Sequence, residues 1–128
     1  VTTTNKEIAM KYFIPHNQVS TESSEFGFTA QAIVGEKTGA TNLTVRRIEV
    51  APGGSVPLHI HPNSEEGMLV LEGELEATVA DQVTVVGSGT SVFAPVGVKH
   101  KMINRSQEKA VLLGIFPCLN PIRDLMEE

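Results

Sequence analysis

The sequence predicts an all-β fold, an antiparallel sandwich or barrel, in a single domain. Short stretches rich in β-branched residues recur at a spacing of roughly 8–12 residues, which is typical of antiparallel β architectures. Clusters of Gly, Pro, Asn and Asp separate these stretches, and those residues favour tight turns. The 128 residues are enough for one compact domain and too few for two ordinary ones.

The individual strands are predicted from composition and from the turns that bound them. Residues 42–50, NLTVRRIEV, are rich in β-branched residues, and Pro52-Gly53-Gly54 ends that strand. Further along, Glu72-Gly73 marks a tight hairpin. The full set of predicted strands covers residues 26–34, 42–50, 55–61, 66–71, 74–80, 83–86, 90–94, 98–103 and 108–116.

The two ends of the chain are predicted to differ from the barrel core, which covers about residues 40–117. Residues 1–25 form an N-terminal arm with an apolar patch at 8–14 and a Ser- and Glu-rich loop at 20–25. At the other end, Asn120 can cap a helix and Pro121 can occupy its first position. A short C-terminal helix is therefore predicted within residues 120–128.

Composition excludes several classes of function. The net charge is −5 and no basic cluster is present, so nucleic acid is not an expected partner. No apolar run is long enough to span a membrane. Cys118 is the single cysteine, so no intramolecular disulfide is possible. It is interpreted as a small, at least partly buried residue, because no histidine and acid lie close to it in sequence to activate the thiol. The chain begins at Val1 without a visible signal peptide, and a cytoplasmic location is expected.

Three histidines and a carboxylate form the most informative pattern in the sequence. His59 and His61 are separated by one residue, and a strand directs such side chains to the same face. Glu66 can return toward them on the next strand, and His100 follows a later turn-rich segment. Imidazole and carboxylate groups bind Fe, Mn, Ni, Zn, Co or Cu. The pattern predicts one divalent transition metal with coordination positions left open for substrate.

The same alternation predicts which residues line a pocket beside the metal. Met68 shares a face with Glu66, and Met102 shares a face with His100, so both methionines are pocket-wall candidates. Arg46 and Arg47 are adjacent, so that one faces inward and the other outward. The sequence does not decide which, and we take Arg47 as the candidate. An inward arginine would suit an anionic substrate.

The histidines also belong to two spaced motifs that resemble those of the cupin superfamily. The first cupin motif has the form G-x5-H-x-H-x3,4-E-x6-G, and it is matched here by Gly53, His59, His61, Glu66 and Gly73. The second has the form G-x5-P-x-G-x2-H-x3-N, and it is matched by Gly89, Pro95, Gly97, His100 and Asn104. Agreement at every specified position makes the match specific. His16 lies outside both motifs and is interpreted as an ordinary polar residue.

The resemblance implies a double-stranded β-helix, or jelly-roll, barrel. It also implies a specific set of metal ligands: His59, His61, Glu66 and His100. Glu65 is an alternative to Glu66, because the family allows either spacing, but Glu66 leaves the required six residues before Gly73. The chain resembles small single-domain cupins that form homodimers, so a homodimer is predicted. The apolar patch at 8–14 is consistent with that prediction.

The cupin resemblance predicts the fold more closely than the reaction, because one fold supports many chemistries. The leading hypothesis is a metal-dependent enzyme for a small organic molecule, a dioxygenase similar to quercetinase-like cupins, with Glu66 as both ligand and proton acceptor. An alternative is redox-neutral sugar chemistry, since Pro121, Arg123 and Asp124 loosely resemble the ending of cupins that open unsaturated uronate rings, although the spacing differs. A third is a non-catalytic, metal-stabilised cupin that binds a small ligand.

Overall fold

The computed structural model of the protein describes residues 12–128, and within this range eleven strands form two antiparallel sheets. The strands are β1 (Glu22–Ser23), β2 (Phe28–Val34), β3 (Thr44–Val50), β4 (Ser55–Ile60), β5 (Glu66–Glu72), β6 (Leu75–Val79), β7 (Gln82–Val86), β8 (Ser91–Ala94), β9 (His100–Ile103), β10 (Ala110–Phe116) and β11 (Asp124–Leu125). One sheet has the order β1-β2-β3-β10-β5-β8 and the other β11-β4-β9-β6-β7. Two 3₁₀ turns, His16–Gln18 and Glu36–Thr38, complete the described elements.

The two sheets enclose one apolar core. Val50 and Leu112 contribute from the six-stranded sheet, and Leu75 and Met102 contribute from the five-stranded sheet. Each of these four side chains is at most 2% exposed, and burying one such side chain contributes about 1.5–3 kcal/mol. The predicted all-β architecture is therefore confirmed.

The nine predicted strands are all present, and their ends differ from the predicted ends by no more than two residues. Burial alternates in β5, β8 and β9, as a pleated strand requires. In β5, for example, Glu66, Met68 and Val70 are buried while Leu69 and Leu71 are exposed. Their apolar character alone would place these two leucines in the core. Their positions in the strand place them on the face opposite to Glu66, which is the exposed face.

Two motif residues stabilise turns rather than contribute to the chemistry. Gly73, between β5 and β6, has a φ of 78°, and a Cβ there would lie 2.6 Å from the carbonyl oxygen of Lys109, so only glycine fits without strain. Asn104 is fully buried and its side-chain amide donates to the carbonyl oxygens of Val50, at 2.9 Å, and Glu108, at 2.8 Å. Asn104 therefore links the turn after β9 to the end of β3.

The predicted C-terminal helix is wrong. Asn120 has a φ of 51°, in the left-handed region, and residues 124–125 pair as β11 with β4. The backbone N–H of Met126 extends this contact by donating to the carbonyl oxygen of Leu58, at 3.0 Å. A helix this short is marginal in water, whereas pairing satisfies the otherwise open edge of β4.

The N-terminal arm departs from its prediction in one detail. The segment predicted as a loop at 20–25 contains β1, which pairs with Ala30 and Thr29 of β2. The apolar patch at 8–14 lies mostly outside the described residues, so the homodimer stays a prediction. Among residues 12–128, no helix is long and apolar enough to cross a membrane.

Candidate metal centre

Three strands position the four predicted ligands at one point inside the barrel. His59 lies on β4 directly opposite His100, the first residue of β9. His61 follows the end of β4, and Glu66 is the first residue of β5 in the facing sheet. All four side chains are buried, with 2–5% of their surface exposed, so that these polar groups need partners within the protein. The structure places Glu66 in this cluster, while Glu65 is exposed.

The four ligand atoms converge. Nε2 of His59 lies 3.2 Å from Nε2 of His61. Oε1 of Glu66 lies 3.1 Å from Nε2 of His61 and 3.0 Å from Nε2 of His100. All four atoms lie within 4.8 Å of one another. Ligand atoms that each lie about 2.1 Å from a shared ion are separated from one another by distances like those observed here. The cluster therefore has the dimensions of a metal site.

Backbone carbonyls determine which imidazole nitrogen faces the centre. Nδ1 of His59 donates to the carbonyl oxygen of Pro57 at 2.7 Å, and Nδ1 of His100 donates to that of Val98 at 2.9 Å. Nδ1 of His61 donates to the carbonyl oxygen of Ile122 at 2.7 Å. A carbonyl can only accept, so each Nδ1 holds a proton, and the Nε2 of a neutral imidazole is left with its lone pair.

This arrangement fits a cation. The Nε2 lone pairs of His59 and His61 face each other, and neither nitrogen of a neutral pair has a proton to donate across the gap. A divalent metal ion would satisfy both lone pairs together with the Glu66 carboxylate. The second layer of hydrogen bonds is of the kind that orients histidine ligands in metalloproteins.

The electrostatics of the cluster keep two of the ligands in their binding forms at neutral pH. Burial and, to a smaller extent, the neighbouring His100 lower the pKa of His59 to about 4. Burial alone would raise the pKa of Glu66, but the adjacent His100 and His61 outweigh burial and lower the pKa to about 2. His59 is therefore neutral and Glu66 ionised, as metal binding requires.

We expect the metal-free protein to lose stability on acidification from pH 6.5 to pH 4. The unfolded chain takes up a proton at His59 near the ordinary pKa of 6.5, whereas the folded chain does so only near 4, so acid favours the unfolded state. The loss in free energy of unfolding is up to about 3 kcal/mol. The lowered pKa of Glu66 adds to it below pH 4.5, and urea unfolding with a chelator present at several pH values measures the slope.

A matched pair of variants tests the origin of this slope. His59→Asn removes the buried imidazole and should flatten the dependence between pH 6.5 and pH 4. His16→Asn removes an exposed imidazole and should leave the slope unchanged. An unchanged slope in His59→Asn would contradict the assignment.

A cavity of about 500 Å³ opens directly onto the ligands. Its lining combines apolar and cationic side chains. Met68 and Met102 lie in its wall, where the sequence placed them. Phe28 and Phe116 add two aromatic faces, and Arg46 and Arg123 add two guanidinium groups.

Arg47, the candidate chosen from the sequence, lies outside this cavity, and the structure places Arg46 there instead. On β3 the buried residues Thr44, Ile48 and Val50 share the parity of Arg46. Arg47 has the opposite parity, and its guanidinium pairs with Glu49 at 2.6 Å. The apolar residues Ile48 and Val50 around Glu49 were the signal in the sequence that could have identified the inward arginine.

Two further positions were missed at the sequence level. Ile122 accepts a hydrogen bond from His61 through its backbone carbonyl, and a backbone contact of this kind cannot be predicted from the residue type. Gly114 on β10 lies beside the carboxylate of Glu66, and a Cβ at this position would be 2.5 Å from Oε2. Gly114 therefore leaves the space that the Glu66 carboxylate occupies.

Comparison with known proteins agrees with this geometry. Residues 46–116 match the family described as Cupin domain. The chain belongs to the cupin family. That match includes all four ligands and most of both sheets, so the likeness covers the site as well as the fold.

Relatives of this cupin include plant and bacterial proteins. Germin-like protein 5-1 of Oryza sativa subsp. japonica is 31% identical over 112 residues, which are 80% of this chain and 47% of that protein. Oxalate oxidase 1 of Hordeum vulgare is 29% identical over 92 residues, 66% of this chain and 46% of that protein. The chain thus spans about half the length of these plant relatives. Tetracenomycin polyketide synthase protein TcmJ of Streptomyces glaucescens is 30% identical over 105 residues, 81% of this chain and 70% of that protein.

Solved structures show the same fold. The polyketide cyclase RemF from Streptomyces resistomycificus superposes with a TM-score of 0.77 at 25% identity, covering 90% of this chain and 84% of that chain. A structure of oxalate oxidase superposes with a TM-score of 0.78 at 23% identity, covering 91% of this chain and 64% of that chain. These likenesses identify the two-sheet architecture as a cupin barrel.

Proposed function

We propose that this cupin binds one divalent transition metal through His59, His61, Glu66 and His100 and is an enzyme for a small organic molecule. The observation that carries the proposal is the convergence of four buried ligand atoms on a cavity of about 500 Å³. A structural metal site is closed by its protein ligands, whereas a catalytic site keeps access for substrate. The bound metal would act as a Lewis acid toward an enolate, phenolate or carboxylate oxygen of that substrate.

The reaction that we propose first is dioxygenation, as in quercetinase-like cupins. Glu66, buried beside the reacting position, would accept the proton of an enol or phenol whose acidity the bound metal would raise. Met68, Met102 and the two phenylalanine rings form an apolar wall, which would exclude water from the reacting groups.

Redox-neutral chemistry is the second candidate, and a specific observation favours it. TcmJ and RemF, of which this chain covers 70% and 84%, are a polyketide synthase protein and a polyketide cyclase. Ring formation of that type, or the uronate-ring chemistry suggested by the C-terminal residues, needs proton transfer and a polarised carbonyl but no oxygen. Arg123 lies in the cavity lining, where it would suit an acidic substrate of either kind.

Oxygen dependence separates the two candidates. Protein purified without added metal is subjected to element analysis and is then assayed for oxygen uptake with flavonols, diketones and catechols. A redox-active metal with uptake on any of these compounds, and no uptake with Glu66→Gln, is expected for dioxygenation. Turnover of linear polyketides or unsaturated uronates in the absence of oxygen would replace dioxygenation by the redox-neutral candidate. Stoichiometric metal and ligand binding without turnover in either series would identify a non-catalytic binding protein.

A further inference from the structure

Two guanidinium groups that are far apart in sequence line the same cavity beside the metal centre. Arg46 comes from β3 and is half-buried, and Arg123 precedes β11. The guanidinium carbon of Arg46 lies 5.3 Å from the ring centre of Phe116, and that of Arg123 lies 5.6 Å from the ring centre of Phe28. Stacking on an aromatic face orients a planar guanidinium and leaves its edge N–H groups available.

Neither arginine is paired within the described part of the chain. Among residues 12–128 the ion pairs of arginine are those of Arg47 with Glu49 and of Arg105 with Glu76. Burial lowers the pKa of Arg46, and Arg123 lowers it further while Glu66 opposes the shift, so the two cations are close enough to repel. A bound anion would reduce the repulsion between two positive charges at the wall of a cavity.

The other charged residues of the cavity do not supply that anion. Glu66 is held by the histidines. Glu22, an exposed residue of the lining, raises the pKa of Arg46 through its charge but forms no ion pair with either arginine. Glu36 is also exposed, and it accepts a hydrogen bond from the Asn120 side chain at 3.4 Å. Lys37 adds a third cation. A ligand that reaches both the metal centre and the arginines therefore meets positive charge at each end.

Both arginines are held in fixed relation to the metal ligand His61. The residue before Arg123, Ile122, accepts from Nδ1 of His61 through its carbonyl and donates its N–H to Oδ1 of Asn63, at 2.8 Å. On the other side, the Phe116 ring under Arg46 is in edge contact with the His61 ring, with centres 4.9 Å apart. A group bound between the arginines would thus lie on the His61 side of the metal centre.

We propose that Arg46 and Arg123 form a carboxylate-binding subsite, so that the substrate is an organic acid with a metal-chelating hydroxyl or enol group at one end and a carboxylate at the other. This rests on the proposed function, because the chelating end uses the same metal centre. Guanidinium groups match a carboxylate with two parallel hydrogen bonds. The faces of Phe28 and Phe116 suit a planar, conjugated body between the two ends.

Three small probes separate the contributions. Catechol has only the chelating end, benzoate has only the carboxylate, and 3,4-dihydroxybenzoate has both. Their dissociation constants are measured by calorimetry on protein loaded with one divalent metal. We expect 3,4-dihydroxybenzoate to bind at least about tenfold more tightly than catechol, as charge-assisted hydrogen bonds provide.

Variants at the arginines identify the source of this preference. Arg46→Gln and Arg123→Gln are each expected to bring the ratio of the two dissociation constants close to unity, with metal content unchanged. Arg47→Gln is the matched control, because Arg47 neighbours Arg46 on the same strand but pairs with Glu49 outside the cavity. That variant should retain the preference of the unaltered protein.

The outcomes separate the two proposals. Equal binding of catechol and 3,4-dihydroxybenzoate to the unaltered protein would overturn the subsite and leave the metal enzyme standing. Arginine-dependent binding of benzoate and 3,4-dihydroxybenzoate with equal affinity, together with no binding of catechol, would overturn the proposed function and leave the subsite. No binding of any probe would overturn both, and a preference that survives both Gln variants would place the carboxylate elsewhere.

Discussion

Replacing His59 and His61 together by alanine is expected to abolish stoichiometric metal binding while the barrel remains folded. The double variant retains only Glu66 and His100 at the centre, whereas transition-metal sites in proteins use three or four ligands. Neither histidine belongs to the apolar core cluster, so the two sheets keep their main source of stability. Element analysis after exhaustive dialysis measures the metal, and circular dichroism with a thermal melt measures folding.

Two comparisons keep this result interpretable. His16→Ala removes a histidine that is exposed and outside the cluster, and it should bind metal like the unaltered protein. His100→Asn removes one ligand with less change in volume and should weaken binding even if the double variant proves unstable. Retention of stoichiometric metal by a folded double variant would contradict the site.

The second large effect is expected from Gly114→Ala, a variant that alters no ligand. Its added methyl would lie 2.5 Å from Oε2 of Glu66, which is far inside van der Waals contact, so the carboxylate must move away from the histidines. Displacing an oriented ligand of this kind typically costs about 10–100-fold in metal affinity. Competition with a chromophoric chelator gives the dissociation constant, and some loss of stability from overpacking is expected as well.

Gly67→Ala is the matched control for that variant. Gly67 lies next to Glu66 on β5, which pairs with β10, and a Cβ there meets nothing within 4 Å. Both substitutions add one methyl to a strand, but only Gly114→Ala places it against the carboxylate. Equal metal affinity in the two variants would show that Glu66 is not held by the space at Gly114.

Much of the metal centre could be predicted because its determinants are local. The spacing of His59 and His61 follows from the two-residue period of a strand, and that period also placed Met68 and Met102 in the cavity wall. Arg46 shows how such a signal can be present and overlooked. Two adjacent arginines look alike by residue type, and only the parity of Ile48 and Val50 separates them.

The C-terminal segment shows where local signals fail. Asn120 and Pro121 are good residues for a helix start, but the segment gains more by pairing with the edge of β4. The same pairing brings the carbonyl of Ile122 to His61, 61 positions earlier in the chain, and places Arg123 in the cavity. None of these contacts could be predicted from the composition of the segment.

The strands, the two motifs and the four predicted metal ligands follow from local sequence, because strand periodicity and turn chemistry act over a few neighbouring residues. The lining of the cavity, the choice of arginines that face it and the contacts that hold His61 in place depend on the folded chain. Those features depend on closing the chain over long separations and on backbone groups. A carbonyl oxygen is the same in every residue, so its role is set by where the fold brings it.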